Sequence, residues 1–282
     1  MGRVQDKVVL ITGGARGQGR SHAVALAAEG ADVILVDSCA DIETNKYPLA
    51  RPEDLEETVR LVEKEGRRAI AVAADVRDLK ALTAGVDSAV TQLGSLDVVV
   101  SNAGIAPLTK NLPAQAFLDA VDVNLVGTIN TVSVALPHLV SGASIIAIGS
   151  VAAFSGGTSA HGPGGAGYTF SKKALSHFIN DLSLQLAPQS IRANVVHPTN
   201  CNTDMLHSAP MYAIFRPDLE SPTRADAEVT FPSAHAMPVP YIESEDVSHA
   251  VVYFASDESR FVTGMQMRID AGAYVKKYPW NQ

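Results

Sequence analysis

Residues 12 to 37 read TGGARGQGRSHAVALAAEGADVILVD, and this stretch decides the fold. The apolar run KVVLIT (7 to 12) leads straight into Gly13, Gly17 and Gly19, and these lead into a helical pattern. Glycines let backbone amides approach a pyrophosphate, and the helix that follows offers free N–H groups at the positive end of its dipole. A second apolar run then ends at Asp37, about 20 residues on, where an acid binds the ribose 2′-OH of an adenosine. A carboxylate there repels a 2′-phosphate, so the stretch predicts NAD rather than NADP. Arg16 pulls the other way, since a cation beside the loop receives such a phosphate, and Asp37 as a mere helix cap stays open.

Working outward, further short runs rich in Val and Ile recur: AIAVAA, LDVVVSNAG, SIIAIGS, IRANVVHP and MQMRID, separated by helical patterns. Such alternation specifies buried parallel strands joined by helical crossovers. The expected fold is α/β, a doubly wound Rossmann fold. Its seven-stranded, mostly parallel sheet carries helices on both faces of one domain spanning 1 to 282. Residues 199 to 241 carry prolines at 210, 217, 222, 232, 238 and 240. That density predicts an irregular excursion, a lid over the substrate, ahead of a last helix at Ser244 to Ser256.

At 46% hydrophobic and 282 residues the chain can bury a sizeable core. A net charge of -8 argues against nucleic acid or an anionic membrane as main partner. Two cysteines, Cys39 and Cys201, form no disulfide framework and no metal-like spacing, which points to a reducing, cytoplasmic setting. The apolar region from Thr131 to Phe154 is broken by Pro137, His138, Gly142 and Ser144, and reads as helix end, turn and strand rather than a membrane span. His207 and His235 read as surface residues, and no metal site is expected.

The segment GYTFSKKALSHFI sets Tyr168 and Lys172 four residues apart, on one helix face. A tyrosine is a poor base at its ordinary pKa near 10, and a nearby ammonium favours phenolate. Ser150 ends the run SIIAIGS, at the strand edge where doubly wound sheets bind ligands. Asn124 falls mid-helix in VNLVGT, where an amide is a below-average helix former. Each alone is bland; their order behind the glycine loop is not.

In these residues the chain resembles the short-chain dehydrogenase/reductase family over nearly its whole length. The family's TGxxxGxG runs from Thr12 to Gly19, placing Gly13, Arg16, Gly17, Gln18 and Gly19 at the cofactor. The resemblance assigns Asp75 and Val76 to the adenine ring, Asn102, Ala103 and Gly104 to the NAG motif, and Asn124, Ser150, Tyr168 and Lys172 to catalysis. It implies that Tyr168 takes a hydroxyl proton, that Ser150 bonds the same oxygen, and that Lys172 tunes Tyr168 and holds the nicotinamide ribose. Asn124 would position a water. Two departures stand out. Ser150 and Tyr168 are further apart than is usual, the excess falling in GGTSAHGPGGAG, which reads as a flexible loop. The family's Pro-Gly is here Pro198-Thr199, with Thr203 where a nicotinamide carboxamide contact is expected.

Between Asp37 and a helix starting at Pro52 lie residues 38 to 51, where such a connection usually takes about 2 to 6 residues. With Tyr47, Pro48 and PEDLEETV, this insertion is similar to that of the mycofactocin-coupled, carveol-dehydrogenase-like subfamily. There it is thought to cover NAD, so that hydride leaves to an external redox carrier. A tolerated surface insertion remains the alternative. The implied reaction is oxidation of a small-molecule secondary alcohol, apolar or cyclic in the manner of a terpenoid or steroid, to its ketone. Met205, Leu206, Met211, Tyr212, Phe215 and Phe231 would form its pocket, or equally an ordinary lid core. Alternatives are an NAD-exchanging dehydrogenase or carbonyl reductase, and a non-catalytic NAD-binding sensor. A homotetramer is expected, assembled partly through the last strand and the tail with Tyr274, Tyr278 and Trp280.

Overall fold

A computed structural model describes residues 2–109, 111–155 and 162–277. Seven strands form one sheet: β1 (Val8–Thr12), β2 (Asp32–Asp37), β3 (Ala69–Ala73), β4 (Val98–Ser101), β5 (Ser144–Ile148), β6 (Arg192–Pro198) and β7 (Gln266–Ile269). Their order is β3-β2-β1-β4-β5-β6-β7, and every pairing is parallel. The helices are α1 (Gly17–Ala28), α2 (Pro52–Lys64), α3 (Leu79–Leu93), α4 (Gln115–Val121), α5 (Gly127–Ala135), α6 (Gly162–Leu186), α7 (Ala209–Phe215), α8 (Arg224–Glu228), α9 (Ser244–Ala255) and α10 (Ala273–Lys277).

Alternation along the strands divides the core. Val9, Ile11, Val33 and Leu35 face Leu26 of α1, Leu55 and Val62 of α2 and Phe254 of α9. Their neighbours Val8, Leu10, Ile34 and Val36 face Leu82 and Val86 of α3 and Leu175 and Ile179 of α6. Strands so buried on both faces must read as continuous apolar runs, as they do. Strand order reverses between β1 and β4, which opens a crevice beyond their carboxyl ends.

Several details differ from expectation. The proline-rich excursion is not irregular throughout: it holds α7, α8 and a single 3₁₀ turn, Phe231–Ala234. Pro210 and Pro232 sit in first turns, where the missing N–H costs nothing. The helix at Ser244 is not the last, because α10 follows β7. Of GGTSAHGPGGAG, residues 156–161 lie outside the described residues, and the remainder is the start of α6 rather than loop. Its glycines are packing devices: a Cβ on Gly164 would fall 2.1 Å from the Pro107 carbonyl oxygen, and one on Gly167 2.5 Å from that of Phe117. The helical run Gln115–His138 is apolar and long enough to cross a membrane, yet half of it is buried, with α4 packed on α6 as a core element.

Candidate active site

Two cavities meet at the carboxyl edge of the sheet. The first, about 200 Å³, runs from the glycine loop past Asp37, Asp75, Val76 and Asn102 to Gly104, and on to Tyr168 and Lys172. Its floor is backbone held very close. Asn102 Nδ2 donates to the Thr12 and Gly13 carbonyls at 2.9 and 3.1 Å, and a Cβ on Gly19 would lie 1.9 Å from Gly13 O. Gly13 itself has φ of 66°, and a side chain there would meet Ala103. The cradle therefore needs glycine at both points, and it presents the α1 N-terminus, with no acidic residue in its first turn, to whatever lies in the cleft.

Asp37 closes β2 on the wall of this cavity. Its carboxylate accepts the N–H groups of Ala15 and Cys39, each at 3.1 Å. Burial pushes its carboxyl up from the ordinary range, opposed by those hydrogen bonds and by the Arg16 charge. Arg16, read from sequence as a possible phosphate receptor, is engaged elsewhere. Its guanidinium donates to the Pro48 carbonyl and pairs with Asp204 at 3.0 Å. Asp75 is paired with Arg77 at 2.7 Å.

The insertion at 38–51 is built into the site. Ile42, Tyr47, Leu49 and Ala50 line the first cavity, and Tyr47 is 7% exposed. Thr44 donates to Asp119 of α4, Asn45 Nδ2 to Tyr47 O, and Arg51 bonds Asp41. The insertion thus reaches α4, and Arg16 ties it to Asp204 of the 199–241 excursion. Thr203 lies on both cavity walls, 3.5 Å from where a Gly17 Cβ would be.

At the far end, Tyr168 and Lys172 share a face of α6. Ser150, extended at φ -171°, hydrogen-bonds the Tyr168 phenol, and its Oγ accepts the Ala152 N–H at 3.1 Å. Lys172 Nζ donates to the Ile148 carbonyl at 2.6 Å and sits 5.9 Å from the Tyr168 ring centre. Burial draws the Lys172 ammonium down to about 8. Burial also pushes the Tyr168 phenol up, and the Ser150 hydrogen bond draws it partly back. In the protein without cofactor, desolvation is the larger effect on the Tyr168 phenol. Asn124 lies in a π turn, Asp122–Val126, rather than a regular helix. Fully buried, it clamps Ile105 through both N–H and C=O, at 2.8 and 2.9 Å.

The second cavity, about 430 Å³, opens beside Ser150 and Tyr168. Met205, Leu206, Met211 and Phe215 line it. Tyr212 and Phe231 do not; they pack with Leu206 and Ala227 in the lid's own small core. Pro198, assigned to the cofactor from sequence, falls on this second wall instead. His235 is no surface residue either: it is 2% exposed, paired with Thr199 Oγ1 and Val239 O at 2.9 and 2.8 Å. His207 is half-buried, bonded to Asn202 at 2.8 Å. Sequence reasoning missed Asp204, Asp119 and His197, since each acts through a partner distant in sequence.

A glycine cradle, an acid closing β2 and a Ser, Tyr and Lys at one crevice form the site of a known family, and the short chain dehydrogenase family model matches residues 7–211. The chain belongs to the short chain dehydrogenase family. It is an oxidoreductase. It is 44% identical over 282 residues to (-)-trans-carveol dehydrogenase of Rhodococcus erythropolis, covering 98% of this chain and all of that one. Carveol dehydrogenase from Mycobacterium avium, solved in complex with NAD, superposes with a TM-score of 0.91 at 42% identity, covering 97% of this chain and 99% of that one. A short chain dehydrogenase from Mycobacterium paratuberculosis bound to NAD gives 0.84 at 38% identity, covering 96% and 99%.

Proposed function

We propose that this dehydrogenase oxidises an apolar, cyclic secondary alcohol of terpenoid or steroid type to its ketone, with NAD as cofactor. The single observation that carries the reading is the joined pair of cavities, with Ser150 and Tyr168 on the wall of one and Tyr168 and Lys172 on the wall of the other. The glycine loop, Asp37 and Lys172 would hold NAD in the first cavity, where it would supply the hydride acceptor. Everything else falls to the chain. Tyr168 Oη removes the alcohol proton, and Ser150 Oγ holds the same oxygen. Lys172, kept close by Ile148 O, would hold the ribose, and its ammonium offsets part of the burial that otherwise keeps Tyr168 protonated. Asn124 fixes the Ile105 backbone beside Gly104 and Lys172 and so supports a water path outward. Asp37 selects NAD over NADP, an assignment strengthened by Arg16 being occupied with Pro48 and Asp204. The apolar walls from Met205 to Phe215 suit a hydrocarbon ring, and the similarity to carveol dehydrogenases supports that class.

We further propose that the insertion keeps NAD from exchanging, so that an external carrier of the mycofactocin type reoxidises it. The support is the anchoring of residues 38–51 to α4 and the lid. The enzyme works as a cytoplasmic homotetramer, a reading supported by the exposed apolar side chains of Phe261 and Leu184 (88% and 78%). Tyr274 packs instead against Phe154 within the chain, and Tyr278 and Trp280 lie outside the described residues. A panel of cyclic terpenoid, steroid and short linear alcohols tests the substrate class. Turnover is expected with the cyclic alcohols; preference for the linear ones refutes it. Trimming residues 38–51 to an ordinary connection of about four residues should restore exchange with free NAD.

A further inference from the structure

His197 is a fully buried imidazole near the carboxyl end of β6 that takes no part in proton or hydride transfer. Burying both ring nitrogens is costly unless each finds a partner, and each does. Nε2 lies 2.6 Å from Gln266 Oε1, and the Gln266 amide nitrogen donates to Ser176 O at 3.3 Å, which turns the amide oxygen toward the ring. An oxygen only accepts, so the ring proton belongs on Nε2 and Nδ1 is left as an acceptor. The Ser150 N–H points at Nδ1 from 3.1 Å. The approach is possible only because residue 149 is glycine: a Cβ there would fall 2.4 Å from Nδ1. Phe154, at the end of the turn that Ser150 opens, closes over the ring at 4.7 Å between centres.

We propose that His197, oriented by Gln266, is a positioning residue that fixes Ser150 through its main-chain N–H and so aims the hydroxyl that Tyr168 and the alcohol share. A second state is built into the same contact. With a proton on Nδ1 the ring no longer accepts from Ser150 and turns to the Ser150 carbonyl oxygen, 3.0 Å away, releasing the N–H. The charged groups that act on the ring are Lys172 from α6 and Arg268 from β7, both cations. Tyr274 of α10 packs on Phe154 behind it. Burial and these cations hold the imidazole below its ordinary range, so the neutral, Ser150-holding form prevails near neutral pH.

The role rests on the alcohol-oxidising reading, but one readout is independent of turnover. Nitrogen NMR of histidine-labelled protein should show His197 neutral with its proton on Nε2; a proton on Nδ1 overturns the proposal even if no alcohol is oxidised. In activity, His197→Phe keeps the ring and removes the acceptor, and kcat should fall about 10- to 100-fold, as for a misplaced catalytic group, with NAD affinity unchanged. His197→Asn, which retains an acceptor near Nδ1, should recover most of that loss. Gln266→Glu sets a carboxylate against Nε2 and favours the imidazolium, so the acid limb of the kcat/KM profile should move up by about one pH unit or more. A merely structural histidine would leave that limb in place. Wild-type kcat in His197→Phe, or an unmoved acid limb in Gln266→Glu, overturns the proposal.

Discussion

Arg16→Met should loosen the cover over the cofactor without touching the chemistry. Arg16 bonds both flanking segments, donating to Pro48 O of the insertion and pairing with Asp204 of the 199–241 excursion. Methionine keeps the stem and deletes both contacts. A hydrogen bond from a charged donor contributes about 1.5 to 3 kcal/mol. The pair to Asp204, whose side chain is 65% exposed, adds little, at most about 1 kcal/mol after solvent screening. A central figure of about 2 kcal/mol corresponds to about a 30-fold change at 1.36 kcal/mol per decade. Since contacts that must be undone before release act mainly on dissociation, the NAD off-rate should rise by about that factor. Stopped-flow chase of bound NAD with excess unlabelled nucleotide reads it. An off-rate within about twofold of wild type would show that the clasp carries less than about 0.5 kcal/mol and that Arg16 does not secure the cover.

Tyr168→Phe removes the proposed base and leaves the ring, so single-turnover hydride transfer should fall at least about 100-fold with cofactor still bound; near-normal turnover sinks the assignment. Asp37→Ala removes the charge facing a 2′-phosphate, and the ratio of NAD to NADP affinities should fall; an unchanged ratio makes Asp37 structural. Lys172 sits at about 8 when folded against an ordinary 10.5, so between these values the unfolded chain binds more protons and cofactor-free stability rises with pH. Denaturant titrations across that window should show the rise in wild type and lose it in Lys172→Met.

Much of this architecture was legible because local chemistry and global fold agree. The glycine loop, Asp37 and the continuous apolar runs each have a local physical cause, and they specify the sheet, its crevice and the positions of Ser150, Tyr168 and Lys172. What was not legible depends on partners far along the chain. Arg16 reads as a phosphate receptor until Pro48 and Asp204 are seen to hold it. The glycines from Gly162 to Gly167 look like a loop because nothing nearby shows that Pro107 and Phe117 press on them. His235, read as a surface residue, is buried with both nitrogens satisfied by Thr199 and Val239, and His197, whose partners lie far along the chain, is buried against the Ser150 N–H. Two of the six apolar residues expected to line the pocket, Tyr212 and Phe231, pack in the small core of the 199–241 excursion instead, since apolar residues cannot declare from sequence which side of a thin layer they face.

The most direct test of the account is the stoichiometry of NADH formed when protein purified without added nucleotide is mixed with a cyclic terpenoid alcohol such as carveol. Tyr168 chemistry on a retained cofactor predicts a burst of about one NADH per site, then a stall that free NAD does not relieve and an artificial acceptor does. No burst from cofactor-loaded protein would contradict the alcohol-oxidising assignment, and steady turnover on free NAD alone would contradict the closed cover.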